Sequence, residues 1–245
     1  MAKALWSSSS AEEWQGHLSA LESRFGAKKT KYGTLADLQT QFQALCDRLA
    51  AADGPKELSK DDLVMVMGYK LTRGKMRPLM NKIVEGTSET GVREATRAAL
   101  AALDDEGGGD DKAAFKALDQ LHGVGVATAS MILAAAAPSQ HVVMSDQSME
   151  AILDAPAHGK KYDLKSYAAL RDACVAKATA LGGDWTAYAV EQSLYSAAAA
   201  ALAVDVAAAA PSAASASAAA ASTKPAKKPS KRPASKPAAK KARKA

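Results

Sequence analysis

The stretch "LHGVGVATASMIL", residues 121–133, sets a Gly-Val-Gly triplet between two segments of helical character. Leu118 and Leu121 share one face of the incoming segment, and Ala129, Ile132 and Leu133 continue the apolar stripe of the outgoing one, as a pair of packed helices requires. Gly123 can supply the positive φ that ends the first helix, and Gly125 removes a Cβ where the backbone approaches a partner. Val124 plugs the turn into the core. The second helix then opens on amides that have no intrahelical acceptor, at Gly125, Val126 and Ala127 with Thr128 beside them, a place that favours an anion. The same residues also suit a glycine-capped pair of helices that binds nothing.

The rest of the chain points to an all-α fold. Hydrophobic residues make up 48% of 245 positions, enough for a substantial core, while aromatics are only 5% and alanine runs through nearly every segment. Alanine is the strongest helix former, and strands draw on β-branched and aromatic residues. Helix starts are marked by Ser10 with Glu13, Thr34 with Asp37, and Ser59 with Asp62, each close to the capping-box pattern ahead of an apolar-periodic run. Those runs (Trp14, Leu18, Leu21 and Phe25; then Leu35, Leu38, Phe42, Leu45 and Leu49) each bury one face. Further helices are expected over about 60–71, 75–85, from Ser88 inward through Val92 and Leu103, to about His122, to about Ala136, after Ser145 or Asp146, over 164–181 and over 185–206. Residues 104–111, "DDEGGGDD", read as a polar loop.

Charge divides the chain. After Asp205 there is no acidic residue and there are ten basic ones, which leaves 22 basic against 26 acidic residues in the body, about −4, and +10 in the arm. We expect an all-α domain over 1–208 and a disordered tail over 209–245, because the Ala, Ser, Lys and Pro of the tail cannot bury enough apolar surface to fold. Its cations, among them Lys227, Lys228, Lys231, Arg232, Lys240, Lys241, Arg243 and Lys244, attract the counterion atmosphere of a duplex, and the basic runs suit a nuclear import signal. Cys46 and Cys174 are too few for a metal cluster, and His17, His122, His141 and His158 show no ligand spacing, so no metal or other cofactor is expected. No apolar run is long enough for a signal or a membrane span. A monomer in the nucleus is the expectation.

The triplet and its flanking positions resemble the helix-hairpin-helix motif, a binder of nucleic-acid backbone without regard to sequence, and they match each position of that short motif. The wider context resembles the helix-hairpin-helix DNA glycosylase superfamily, whose all-α members take a base into a cleft between two helical subdomains. That resemblance implies an aspartate about twenty residues beyond the hairpin, at a helix start, assisting departure of the base; Asp146 in "HVVMSDQSMEAIL" stands there. Ala127 occupies the place where strand-cutting members carry a lysine, so no lyase step is implied. Asp146 also fits a plain helix N-cap. Within the superfamily, the chain is similar to a little-characterised eukaryotic set that shares Tyr69 to Pro78 of "YKLTRGKMRP", Gly123 to Ser130 of "GVGVATAS", and Ser145-Asp146.

In that first stretch Lys70, Arg73, Lys75 and Arg77 crowd into eight positions. Four cations so close repel one another unless anions neutralise them, and phosphates are natural partners; Asp61, Asp62 or Glu85 would serve as well. The leading expectation is therefore a non-catalytic DNA-binding protein, its contacts made by the hairpin, the 70–77 cations and the tail. One alternative is a monofunctional DNA glycosylase acting in repair through Asp146. The other is an interaction module that keeps only the fold.

Overall fold

The computed structural model describes residues 1–25, 29–74, 86–103, 109–154 and 161–209, with backbone alone at 29 and 202–209. The chain divides into two units, Met1–Ala207 and Ala208–Ala245, and nearly all described residues belong to the first. Among them are ten α-helices: α1 Ala2–Ser7, α2 Ala11–Ser19, α3 Leu35–Ala50, α4 Lys60–Arg73, α5 Glu89–Ala101, α6 Asp111–Leu118, α7 Val126–Ala136, α8 Asp146–Ile152, α9 Leu164–Leu181 and α10 Ala187–Ala209. A two-residue antiparallel ladder pairs β1 Lys29–Thr30 with β2 Gly33–Thr34. The expected helix over 75–85 and the loop at 104–108 lie outside the described residues, as do Lys75, Arg77 and the tail cations from Lys227 to Lys244.

The caps form where the sequence places them. Ser10 Oγ accepts from the Glu13 amide at 3.2 Å. At Thr34 and Ser59 the box closes in both directions, with Asp37 and Asp62 reaching back to the cap amides. Ser88, Asp110 and Asp163 cap α5, α6 and α9 in one direction only, each side chain accepting from the amide three residues on. Each such contact contributes about 1 kcal/mol.

Three boundaries differ from the sequence reading. α1 was not expected; its Leu5 is buried, and its Trp6 ring meets Trp14 at 6.3 Å, which in turn meets Trp185 at 6.2 Å. α2 stops at Ser19, and a 3₁₀ turn at Glu22–Arg24 redirects the chain. Leu21 and Phe25 are thus buried from that turn rather than from a continuous helix. α6 ends at Leu118 instead of near His122, because the amides of Gln120, Leu121 and Val124 each bond the carbonyl three residues back, a tightening common at helix ends.

α7 holds the centre. Every residue from Thr128 to Ala135 is buried, so the helix is enclosed around its circumference; all are apolar but Thr128 and Ser130, as expected of a helix buried on all sides. It packs against α3, α4, α6 and α9. Small alanines on α7 let those neighbours approach, and the helix runs from this packed centre to a start whose Gly125 is exposed.

Candidate functional site

The hairpin has the geometry that its glycines require. Gly123 sits at φ +81°, a conformation costly for residues with a Cβ. Val124 is buried, and its amide donates to the Leu121 carbonyl at 3.0 Å. Gly125 is the N-cap of α7 in an extended conformation, and no side chain caps this helix. A Cβ built on Gly125 meets nothing within 4 Å. Among the described residues no acceptor is paired with the amides of Gly125, Val126 or Ala127; the first α7 bonds are those of Thr128 and Ala129 to the Gly125 carbonyl, at 2.8 and 3.0 Å. Gly125 is exposed, and Val126 and Ala127 are half-buried.

These amides form part of the wall of a cleft of about 330 Å³. Three other segments complete it. From α4 come Met67, Lys70, Leu71 and Arg73; from inside α7 comes Met131; from the 143–147 segment come Val143, Met144 and Asp146, with Tyr162 beyond. Ser130 of α7 fastens the last of these walls, its hydroxyl accepting from the Met144 amide at 2.9 Å. The cleft therefore unites three regions that the sequence singled out separately: the hairpin, the start of the 68–83 stretch, and Asp146.

Individual residues fall in unequal places. Lys70 reaches across from α4, and its Nζ donates to Thr128 Oγ1 at 2.7 Å. Thr128 itself is fully buried, so it anchors Lys70 and does not face outward with the amides. Arg73 requires a larger correction. It is 7% exposed and donates through Nη2 to Glu191 Oε1 at 2.7 Å, with Glu191 wholly buried. Its guanidinium lies 4.0 Å from the Tyr195 ring centroid. Burial alone would drive the guanidinium toward losing its proton, but Glu191, Tyr69, Tyr188 and Tyr195 together outweigh it and hold the pKa above the ordinary arginine value. Arg73 is thus an interior cation at the edge of the cleft, not a solvated one. Asp62, suggested as a partner for this stretch, pairs with Arg48 at 2.6 Å.

Asp146 is not the cap of its helix. Ser145 is: its Oγ accepts from the Ser148 amide at 3.2 Å and meets Ser148 Oγ at 2.8 Å. Asp146 occupies the first helical position, lines the cleft, and accepts a hydrogen bond from the Tyr162 hydroxyl. Tyr162 is 40% exposed and was missed by the sequence reading, as were Met67, Met131 and Met144. Nothing in the polar run "GKKYDL" links Tyr162 to a carboxylate sixteen residues earlier.

Among the described residues no group of three or more His, Cys, Asp or Glu could hold a metal, and no helix is long and apolar enough to cross a membrane. Compared with known proteins, the chain matches no family model, no curated protein and no solved structure.

Proposed function

We propose that the chain binds nucleic-acid backbone, DNA in the first instance, without sequence preference and without catalysing a reaction. The observation that carries this reading is the start of α7: amides at Gly125, Val126 and Ala127 with no described acceptor, and open space where a Gly125 side chain would stand. Helix starts of this kind bind phosphate. Lys70 adds a cation in the same cleft, the tail adds ten more, and the resemblance to helix-hairpin-helix proteins supports the same partner. The basic runs suit a nuclear import signal, which supports the nucleus as the site of action.

The test is fluorescence anisotropy on random-sequence duplex across a salt series, comparing the full chain with Gly125→Asp. Asp is a preferred N-cap and the backbone there is extended, so the variant keeps its fold and caps the amides with its own carboxylate. Losing one charge-assisted contact lowers duplex affinity roughly tenfold or more. The tail is common to both proteins, so unchanged affinity at every salt concentration would contradict the reading.

One observation favours a second reading, base removal by a monofunctional glycosylase. Asp146 is released from capping by Ser145 and lines a cleft continuous with the hairpin. A panel of damaged duplexes tests it: abasic products that vanish in Asp146→Asn with folding intact would support catalysis, and an unreactive panel would leave backbone binding alone.

A further inference from the structure

A serine or threonine with a carboxylate three residues on occurs five times in the chain, at Ser9, Ser10, Ser19, Thr34 and Ser59. The fold accounts for four of them. Ser10, Thr34 and Ser59 are helix N-caps, each accepting from the amide three residues on. Ser19 is the last residue of α2, and its hydroxyl accepts from Gln15 Nε2 at 3.2 Å. Ser9 has no such role. Its neighbours in the serine run are engaged: Ser7 Oγ donates to the Lys3 carbonyl and Ser8 Oγ accepts from the Ser10 amide, both at 3.2 Å. Ser9 is exposed, and its hydroxyl has no partner among the described residues. The chain on either side of it is extended, with Ser8 at φ −78°, ψ 141° and Ser10 at φ −77°, ψ 107°. Glu12 and Glu13 follow in the first turn of α2, both exposed.

A cation is fixed beside this run. Lys177 of α9 donates through Nζ to the Trp6 carbonyl at 2.9 Å and to the Ser8 carbonyl at 3.2 Å, one residue from Ser9. The ammonium also stands 4.9 Å from the Trp6 ring centroid and 5.6 Å from that of Trp14. Neutral oxygens and ring faces hold it there.

We infer that Ser9 is a phosphorylation site for an acid-directed serine/threonine protein kinase, and that Lys177 receives the phosphate. Such a kinase takes its substrate as an extended segment and sets cations against carboxylates three and four positions on. Ser8–Ser10 with Glu12 and Glu13 offers both. In the transfer Ser9 Oγ bonds the γ-phosphorus of ATP, and the bond from that phosphorus to the β,γ-bridging oxygen breaks. ADP leaves with the electron pair, and the hydroxyl proton passes to the kinase's base. The new group carries about two negative charges at pH 7, an attraction for Lys177 that neutral carbonyls lack. Lys177 therefore turns from the Trp6 and Ser8 carbonyls to the phosphate, and the docking of α1, which packs against α8, changes with it. The inference is independent of the nucleic-acid reading, since neither Ser9 nor Lys177 lines the cleft.

The test incubates the full chain with a purified acid-directed kinase and magnesium ATP and maps the product by mass spectrometry. One phosphate on Ser9 is expected, with none on Thr34 or Ser59. The initial rate should fall roughly tenfold or more when Glu12→Gln and Glu13→Gln are combined, since charge-assisted contacts to the kinase are lost. Ser9→Ala should abolish labelling, and Ser10→Ala should keep the label on Ser9. An unlabelled parent, label that moves to Ser10 at the parent rate in Ser9→Ala, or a rate that ignores the two glutamates overturns the site. Tryptophan fluorescence reads the role of Lys177, because Trp14 touches both of the other tryptophans, Trp6 and Trp185. Emission should shift on phosphorylation in the parent and in Lys177→Arg and stay put in Lys177→Met, whose fold circular dichroism checks. A Ser9 label that leaves the parent's emission unchanged, or shifts that of Lys177→Met equally, overturns the role of Lys177.

Discussion

Glu191→Gln leaves the Arg73 charge buried and unpaired, and the structure allows its cost to be stated. Arg73 is 7% exposed and Glu191 is 0% exposed. Among the described residues, their single bond, at 2.7 Å, leaves Arg73 Nε, Arg73 Nη1 and Glu191 Oε2 without partners. Breaking a buried pair from one side costs about 3–5 kcal/mol. For a unit of this size each kcal/mol moves the melting temperature by about 2–4 °C, so thermal unfolding followed by circular dichroism should drop by about 6–20 °C. The double replacement Arg73→Met with Glu191→Leu removes both charges and all three unsatisfied atoms. Such swaps are commonly neutral or stabilising by about 1–4 kcal/mol, so the double variant is expected to be at least as stable as the parent and far more stable than either single one. A Glu191→Gln cost under about 1 kcal/mol, or a double variant as unstable as the sum of the singles, would refute the reasoning.

Other perturbations reach the remaining elements. Ser145→Ala removes the α8 cap and should cost about 1 kcal/mol in urea unfolding, more than Asp146→Asn; the reverse order would mean that Asp146 is the cap after all. Burial holds the His141 imidazole below its ordinary 6.5, with Asp111 opposing the shift and Arg171 adding to it, while His141 Nδ1 meets the Tyr167 hydroxyl at 2.8 Å. The unfolded chain therefore takes up a proton that the folded one refuses, and stability should fall as pH drops below about 6.5; an unaltered pH profile in His141→Gln would assign the effect elsewhere. Burial pushes the Cys46 thiol up to about 12 and raises Cys174 as well. Neither should react with iodoacetamide in the native protein, and both should react in urea; native labelling of Cys174 would contradict the packing around α9.

What the sequence made legible follows from how local each signal is. Capping boxes need only residues three apart, and Thr34–Asp37 and Ser59–Asp62 form as read. The Gly123 turn is equally local, since its φ of +81° is a property of one residue. The errors arose where tertiary packing decides. Arg73 looked like one cation among four, but its burial depends on Glu191 and Tyr195, more than a hundred residues away. Asp146 and Ser145 are both good caps by composition, and the structure gives the role to Ser145, which frees Asp146 to meet Tyr162. Asp146, Gly125 and the start of the 69–78 stretch were each singled out by local signals, and the structure brings them to one cleft. The methionine wall of that cleft was not legible, because methionines on α4, on α7 and before α8 share no sequence period.

In the proposed function, three backbone amides at the start of α7 touch phosphate. The most direct measurement is a ¹⁵N–¹H correlation spectrum of the full chain titrated with random-sequence duplex at low and moderate salt. The amides of Gly125, Val126 and Ala127 should shift early and in proportion, and recover as salt rises. Resonances of the basic arm moving alone, with those three amides stationary throughout, would contradict the claim.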